Sequence, residues 1–296
     1  MKTKYASKEL EAFITTKYDL MAGSLTPLQE GHSAQVFKFD DVNGRTLVIR
    51  IRKGMKDLQA DRYAYNHFIS STVPIPKVLD IGLINQNYFA ISEYIEGKQA
   101  FGLIESEFSE ALPAIQDALG AIYTTDISST RGYGDINPEL GNGPFLSWKS
   151  RLENEIDEIG GVKMLEEYAK RLHLASEGVA KLFAKIHSNI DNVSETRRLL
   201  HGDPGYDNML ISGGKVVAVL DWEQMAFGDW ARDFSRLPSV YGDIYKFAEK
   251  YGLETNNISE RVSVYRSINM LRDIEFAVSN NDESIAERLR KKLRKM

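Results

Sequence analysis

The sequence predicts an α+β chain with a small β-rich N-terminal lobe and a larger helical C-terminal lobe. Three observations lead to this prediction: two tight β-hairpins, long stretches of helical periodicity beyond Gly97, and the lack of internal repeats or low-complexity linkers. The 296 residues suffice for two lobes, and 43% hydrophobic with 27% charged residues is a globular composition. The expected lobes are 1–97, with a connector at 92–97, and 98–296.

Strand and turn signals define the N-terminal lobe. Alternation over 35–39 and a β-branched run over 46–52 flank an Asn-Gly turn, which is typical of a hairpin. A helix over about 56–70 follows, and a Val-Pro-Ile-Pro stretch ends it because proline disfavours helical backbone in the preceding residue. Short strands at about 77–82 and 87–94 complete the lobe.

The C-terminal lobe is predicted to be helical around one β-rich island. The island runs from Leu199 to Leu220 and contains the second hairpin, with a Gly-Gly turn. The helical patterns around it cover about 105–124, 146–158, 161–190 and 259–295.

Charge and composition exclude several classes of function. With 37 basic and 42 acidic residues the formal net charge is −5, which argues against a general nucleic-acid binder. The lack of cysteine excludes disulfides, thiolate nucleophiles and Cys-ligated zinc. No window approaches the ~18 apolar residues of a bilayer span, and the N-terminal residues do not resemble a signal peptide. We therefore expect a cytoplasmic monomer without membrane contact, whose basic 288–295 stretch ends a solvated helix.

The residues best suited to chemistry flank the second hairpin. Asp203 and Asn208 lie on one loop, and folding of the hairpin brings Asp221 back beside Asn208. One carboxylate and one amide then converge as ligands for a hard cation such as Mg²⁺. Asp203 is left to orient an attacking hydroxyl and accept its proton. Each of these residue types is also common in turns, but the joint spacing favours a site.

The motif His-x-Asp-x4-Asn, followed by an apolar residue, Asp and Trp, resembles that of the aminoglycoside phosphotransferase family, which has a two-lobed protein-kinase-like fold. The stretch from Leu28 to Phe39 resembles the family's phosphate-covering loop. Four further stretches look closest to the hygromycin B phosphotransferase branch, namely 61–68, 73–82, 125–128 and 221–229.

The resemblance implies a kinase that transfers the γ-phosphoryl group of a nucleoside triphosphate to a hydroxyl of an aminoglycoside or aminocyclitol antibiotic, such as hygromycin B. Such an activity confers antibiotic resistance. It implies ATP, or else GTP, together with Mg²⁺, and a cationic small molecule as the partner. Two alternatives stay open: a kinase of a metabolite alcohol such as choline, homoserine or a sugar, and a nucleotide-binding module without transfer activity.

Carried over residue by residue, the resemblance assigns Asp203 as the catalytic base or hydroxyl-orienting residue. Asn208 and Asp221 would hold the magnesium, and His201 would support the loop. Asp233 either braces this loop from a following helix or is a first-turn carboxylate favoured by the helix dipole.

Protein kinases pair a strand lysine with a helix glutamate to hold the α- and β-phosphates. Here the strand offers Arg50 and the helix offers Asp61, and the arginine fork compensates for the shorter acid. Arg52 lies on the same strand face and is an alternative for the phosphate contact, and a solvated face is the alternative for either arginine.

The remaining nucleotide contacts would come from the backbone. The turn that contains Gly31, Ser33 and Ala34 would direct N–H groups at the phosphates. The carbonyl of Glu93 and the N–H of Ile95 would pair with the adenine edge. Because the main chain makes these contacts, the choice between ATP and GTP stays open.

A cationic substrate calls for carboxylates, and Asp126 is the candidate because its Thr-Asp-Ile-Ser context matches the hygromycin branch. Tyr206 and Trp230 offer flat faces for sugar rings, although core packing accounts for them equally well.

Overall fold

The computed structural model describes residues 5, 7–28, 34–238 and 242–295. The chain forms two compact units. The first runs to Ile122 and adds Gly205–Gln224, and the second consists of Tyr123–Pro204 and the described residues from Met225 onward. Residues 98–122 thus belong with the first unit, whereas the boundary at 97/98 stays a prediction.

An antiparallel sheet with the order β1-β2-β3-β5-β4 forms the centre of the first unit. Its strands are β1 (Thr26–Pro27), β2 (Gln35–Asp40), β3 (Thr46–Arg52), β4 (Val78–Ile84) and β5 (Asn87–Glu93). Buried residues alternate along β3, as in a strand with two chemically different faces. One face packs on Leu10 and Ile14 of α1 (Ser7–Tyr18). The other packs on Leu58 of α2 (Met55–Phe68).

The second hairpin also belongs to the first unit. Its strands β9 (Met209–Ser212) and β10 (Lys215–Val219) form a three-stranded sheet with β6 (Lys98–Gln99). The turn requires glycine because Gly213 and Gly214 have φ of +53° and +69°. The helix α3 (Glu105–Tyr123) follows β6 along the chain.

The second unit is built around a long helix, α9 (Ile258–Asn280), with buried Ile268, Leu271 and Ile274. The other helices are α4 (Trp148–Glu158), α5 (Gly161–Arg171), α6 (Ser176–Asn189), α7 (Ala231–Phe234), α8 (Ile244–Tyr251) and α10 (Glu283–Leu293). A small sheet has the order β7-β11-β8, with β7 (Gly134–Asp135), β8 (Arg198–Leu200) and β11 (Ala226–Gly228). None of the helices in the described ranges combines the length and apolar character that crossing a membrane needs.

Two helical patterns that the sequence predicts as continuous are each interrupted. The pattern over 161–190 is two helices, α5 and α6, with left-handed backbone at His173 (φ +54°) between them. The pattern over 259–295 breaks at Asn281 (φ +51°), after which the Asp282 carboxylate caps α10 by accepting two backbone N–H groups. Hydrophobic periodicity does not register such breaks. The helices α1 and α8 were not predicted from the sequence.

Candidate active site

Asp233, fully buried in α7, holds the loop that carries Asp203. Its carboxylate accepts the backbone N–H groups of His201 at 2.8 Å and Gly202 at 3.1 Å. Of the two roles expected for Asp233, the structure therefore supports bracing of the loop. Burial raises the pKa of Asp233 to about 6, although Arg236 and the two N–H bonds act in the opposite direction.

His201 supports the same loop from within. Its side chain is fully buried, and Nδ1 accepts the backbone N–H of Asp203 at 3.3 Å. This contact matches the supporting role that the resemblance implies. The Asp203 side chain, by contrast, is 42% exposed, as a group that receives a substrate hydroxyl must be.

Arg236 contacts Asp203 and was missed by the sequence analysis. Its Nη1 donates to the carbonyl of Gly202 at 2.6 Å and lies 3.6 Å from Oδ1 of Asp203. Asp233 accepts hydrogen bonds from backbone N–H groups of the loop, whereas Arg236 donates to a backbone carbonyl and pairs with a carboxylate of the same loop. The spacing of three residues, which places both on one side of a helical turn, is the only sequence signal for this clamp.

The β9–β10 hairpin brings Asp221 next to Asn208, as the spacing predicts. Val219 lies opposite Met209, and the N–H of Leu220 donates to the Asn208 carbonyl at 2.8 Å. Asn208 is buried at the end of the 3₁₀ turn Tyr206–Asn208. Asp221 follows Leu220 directly, so both side chains start from the same end of the hairpin.

Asp221 has two unusual properties. Its backbone is left-handed, with φ of +62°, which is uncommon for a residue with a side chain. Burial raises the pKa of its carboxyl to about 7, and the nearby Glu223 and Asp61 carboxylates add to this while Arg50 opposes it. A partly buried carboxylate among other acids is a group that a cation would stabilise.

The predicted ion pair between Arg50 of β3 and Asp61 of α2 is present. Asp61 is buried and also accepts the backbone N–H of Trp222 at 2.9 Å, so it joins the strand, the helix and the residue after Asp221. Burial alone would lower the pKa of Arg50, but the surrounding carboxylates, Asp61 first, raise it, and Arg50 stays charged.

Arg52 has a different set of partners. Its Nη2 lies 2.8 Å from Asp57 of α2, and its Nη1 pairs with Glu223. Because two carboxylates occupy Arg52, Arg50 is the better candidate for the phosphate contact, which stays a prediction.

The connector residues continue β5, which lies between β3 and β4 in the first sheet. The N–H of Glu93 donates to the Lys77 carbonyl, and the N–H of Tyr94 donates to the Thr46 carbonyl on the other side. In an extended chain the polar groups of Ile95 point the same way as those of Glu93, as a pairing with an adenine edge requires. Ala34 lies half-buried before β2, and Gly31 and Ser33 lie outside the described residues.

The three expected substrate residues differ in their surroundings. Asp126 is exposed and accepts the N–H of Ser128 at 2.9 Å, and this bond lowers its pKa. Tyr206 is half-buried, edge-on to Phe108. Trp230 is fully buried, and its Nε1 donates to the Glu254 carbonyl at 3.2 Å. Trp230 therefore packs in the core, and a sugar-stacking role for it is wrong, whereas substrate roles for Asp126 and Tyr206 stay predictions.

The donor set at the hairpin end fits magnesium. Within the described ranges, no cluster of three or more His, Cys, Asp or Glu side chains could hold a metal. Magnesium needs no such cluster, because it binds through one or two carboxylates and keeps water and phosphate as its other ligands. The Asp221 carboxylate and the adjoining side-chain amide of Asn208 meet this requirement.

The chain is similar in sequence to known proteins. Residues 24–249 match the model of the phosphotransferase enzyme family. The chain is 31% identical over 229 residues to hygromycin-B 4-O-kinase of Escherichia coli, which is 77% of this chain and 65% of that protein. It is 23% identical over 181 residues to viomycin phosphotransferase of Streptomyces vinaceus, 58% of this chain and 59% of that protein. Both alignments thus span less than two thirds of the relative.

Solved structures extend the similarity over nearly the whole chain. A thermostable mutant of aminoglycoside phosphotransferase APH(4)-Ia, in a ternary complex with AMP-PNP and hygromycin B, matches with a TM-score of 0.82 and 25% identity, covering 97% of each chain. Macrolide 2'-phosphotransferase MphH from Brachybacterium faecium matches with a TM-score of 0.63 and 15% identity, over 96% of this chain and 97% of that one. The fold class predicted from the sequence is confirmed.

Proposed function

Because this chain belongs to the phosphotransferase enzyme family, we propose that it is a small-molecule kinase that phosphorylates a hydroxyl of an aminoglycoside or aminocyclitol of the hygromycin B type. The phosphoryl donor is ATP, with GTP as the alternative, and the metal is Mg²⁺. Phosphorylation of such an antibiotic would confer resistance. The relatives that act on hygromycin B support the choice of acceptor.

One observation carries the proposal: the hairpin closure that sets Asp221 beside Asn208, in a chain that also keeps the loop carboxylate Asp203. Turn residues alone would not require Asp221 to sit partly buried, in left-handed backbone and beside an Arg50–Asp61 pair. These features support the proposal of a site that binds a metal and a polyanion.

The residues of the chain divide the work by charge. Asp203, held through the loop by Asp233 and Arg236, orients the acceptor hydroxyl and accepts its proton. Asn208 and Asp221 present oxygen atoms to the metal, which when bound neutralises phosphate charge. Arg50 stays charged beside Asp61 and supplies a cation for the donor phosphates.

The proposal also covers the setting of the reaction. The substrate is a cationic small molecule, and the enzyme works as a cytoplasmic monomer without nucleic-acid or membrane partners. Sedimentation of the purified chain tests the monomer directly. A dimer at micromolar concentration would contradict it.

A panel of acceptors tests the activity. The wild-type chain is assayed with Mg²⁺ and ATP or GTP against hygromycin B, viomycin, other aminoglycosides, choline, homoserine and simple sugars, and the product is mapped by NMR. We expect kcat/KM to be highest for an aminoglycoside or aminocyclitol. Selective turnover of a metabolite would favour the metabolite kinase, and nucleotide binding without turnover of any acceptor would favour a binding module.

The matched variant in this assay is Asp203→Asn. It keeps the size of the side chain and removes the proton acceptor, so we expect kcat to fall by about 10³-fold while nucleotide binding is unchanged. Near-normal turnover at saturating acceptor would show that Asp203 has another role.

A further inference from the structure

Two ion pairs join strand β3 to helix α2. Arg50 and Arg52 stand two residues apart in β3 and so share a face of the sheet. Asp57 and Asp61 stand four residues apart in α2 and so share a face of the helix. Arg50 pairs with Asp61, which we call the first latch. Arg52 pairs with Asp57, and this contact forms part of a second latch.

The second latch also includes Glu223, because Arg52 reaches it with its other terminal nitrogen. The side chain of Arg52 is 11% exposed and that of Glu223 is 24% exposed, so water screens this pair less than it screens a surface pair. The planar guanidinium can bind two carboxylates at once, which the point charge of a lysine does less well.

Both latches end on the two residues that follow Asp221. The first holds the backbone N–H of Trp222 through Asp61, and the second holds the side chain of Glu223. Asp221 itself has left-handed backbone, which is uncommon for residues other than glycine, although aspartate adopts it more often than most. The chain beyond Asp221 is therefore tied at consecutive positions, by Trp222 to Asp61 of α2 and by Glu223 to Arg52 of β3, and this restrains the direction of the Asp221 side chain.

We propose that Arg52 is a positioning residue, which holds Asp221 in place for the metal–nucleotide through its pairs with Asp57 and Glu223. The inference rests on the proposed function for its consequence, but the latch itself is a contact of this chain. It assigns the two strand arginines different tasks. Arg50 faces the donor phosphates, and Arg52 acts through Glu223 on the geometry of Asp221.

The test measures the Mg²⁺ concentration for half-maximal binding of mant-ATP, or of mant-GTP if the wild type prefers it, by fluorescence. Loss of a charge-assisted hydrogen bond of about 1.4 kcal/mol corresponds to about a tenfold rise in that concentration for Arg52→Met. Affinity for the nucleotide without Mg²⁺ stays within about twofold, since Arg52 does not bind the phosphates. Arg52→Lys recovers part of the loss.

A double-mutant cycle identifies the partner. Arg52→Met combined with Glu223→Gln should bind Mg²⁺–nucleotide no worse than Arg52→Met alone, because both substitutions break one contact. The control is Arg45→Met, which removes an exposed arginine paired with Asp41 at the opposite end of β3. It should leave the Mg²⁺ requirement unchanged.

Three results would overturn the proposal while the wild type binds nucleotide normally. The first is an unchanged Mg²⁺ requirement in Arg52→Met. The second is a loss of nucleotide affinity in Arg52→Met that is as large without Mg²⁺ as with it. The third is additivity of the Arg52 and Glu223 substitutions in their effects on binding of the Mg²⁺–nucleotide. A wild type that binds neither nucleotide refutes the proposed function instead. The latch is then judged by thermal unfolding of the same cycle, in which additive shifts of Tm would refute it.

Discussion

Asp221 in the first unit is partly buried and Glu155 in the second is buried, and both carboxyl groups lie close to arginines, yet their pKa values move in opposite directions. Burial raises the pKa of Asp221 to about 7, and its acidic neighbours Glu223 and Asp61 add to the rise, against the opposing charge of Arg50. At neutral pH such a group holds its negative charge only weakly without a cation.

Burial would also raise the pKa of Glu155, but there the surrounding arginines prevail and lower it to about 2. Arg232 lies 2.7 Å from the Glu155 carboxylate, Arg272 lies 3.1 Å from it and Arg151 lies 3.6 Å from it. Glu155 is thus ionised and satisfied by the protein alone.

The difference lies in how the arginines are shared. Around Asp221 both arginines already pair with other acids, Arg50 with Asp61 and Arg52 with Asp57 and Glu223. Carboxylates are in excess there. Around Glu155, three arginines converge on one carboxylate, although Arg151 also pairs with Asp135 and Arg272 also pairs with Glu158 and Glu275. We infer that the first cluster is completed by a bound cation and that the second is complete as it stands and stabilises the fold.

The largest expected effect comes from Asp221→Ala. The substitution removes a metal ligand, so Mg²⁺-dependent nucleotide binding should weaken by about 10²-fold or more. It also removes a carboxyl group from an excess of acids, so Tm without Mg²⁺ should rise rather than fall. Binding titrations and thermal unfolding measure the two effects separately.

The control is Asp207→Ala, an exposed position on the neighbouring loop that carries Asn208. It should leave both binding and Tm close to wild type. A fall of several degrees in Tm for Asp221→Ala would break the comparison, because Asp221 would then stabilise the fold as Glu155 does.

Glu155→Gln should have the opposite effects, with lower stability and unchanged nucleotide binding. It leaves three arginines without their shared carboxylate, and a pKa lowered from 4.5 to about 2 corresponds to about 3 kcal/mol of the free energy of unfolding at pH 7. Urea unfolding measures this loss, and nucleotide affinity of the folded protein should be unchanged. Glu153→Gln, at an exposed position of the same helix, is the control.

The dependence of the free energy of unfolding on pH, measured at acidic pH, tests the contribution of the Glu155 carboxylate. Because the folded pKa of Glu155 lies below the unfolded value, the unfolded state takes up the proton first as pH falls below about 4.5. The contribution is therefore present above that pH and is lost toward pH 2. Glu155→Gln should flatten this part of the curve, and an unchanged slope would show that Glu155 is not the group responsible.

Local spacing predicted the hairpin that brings Asn208 and Asp221 together. The closure of the β9–β10 hairpin depends on a short turn between Asn208 and Asp221, so sequence alone sufficed for it. The Arg50–Asp61 pair came from the resemblance to the kinase-like family, since a strand arginine on its own shows no partner.

Contacts between distant stretches of the chain were not predictable in this way. Arg52 meets Glu223 across 171 residues, and no local pattern marks that pair. Trp230 was offered as a sugar platform because burial of an aromatic side chain depends on tertiary packing, here against Phe247 and the Glu254 backbone. The left-handed residues His173 and Asn281 break helices whose apolar periodicity continues.

The smallest expected effect concerns Arg236, an arginine of the second unit that does not belong to the structural cluster around Glu155. Arg236 lies in the second unit, as Arg232 does, but it contacts the Gly202 carbonyl and the Asp203 carboxylate instead of a structural acid. Arg236→Met should therefore lower kcat by about tenfold, with the KM for nucleotide within about twofold of wild type, because the hydroxyl-orienting group loses one restraint. Arg236→Lys should recover part of kcat, since a lysine can still donate to the carbonyl.

Arg266→Met, an exposed position on α9, is the control and should match the wild type. If Arg236→Met lowered Tm as Glu155→Gln does and left kcat intact, Arg236 would belong with the structural arginines.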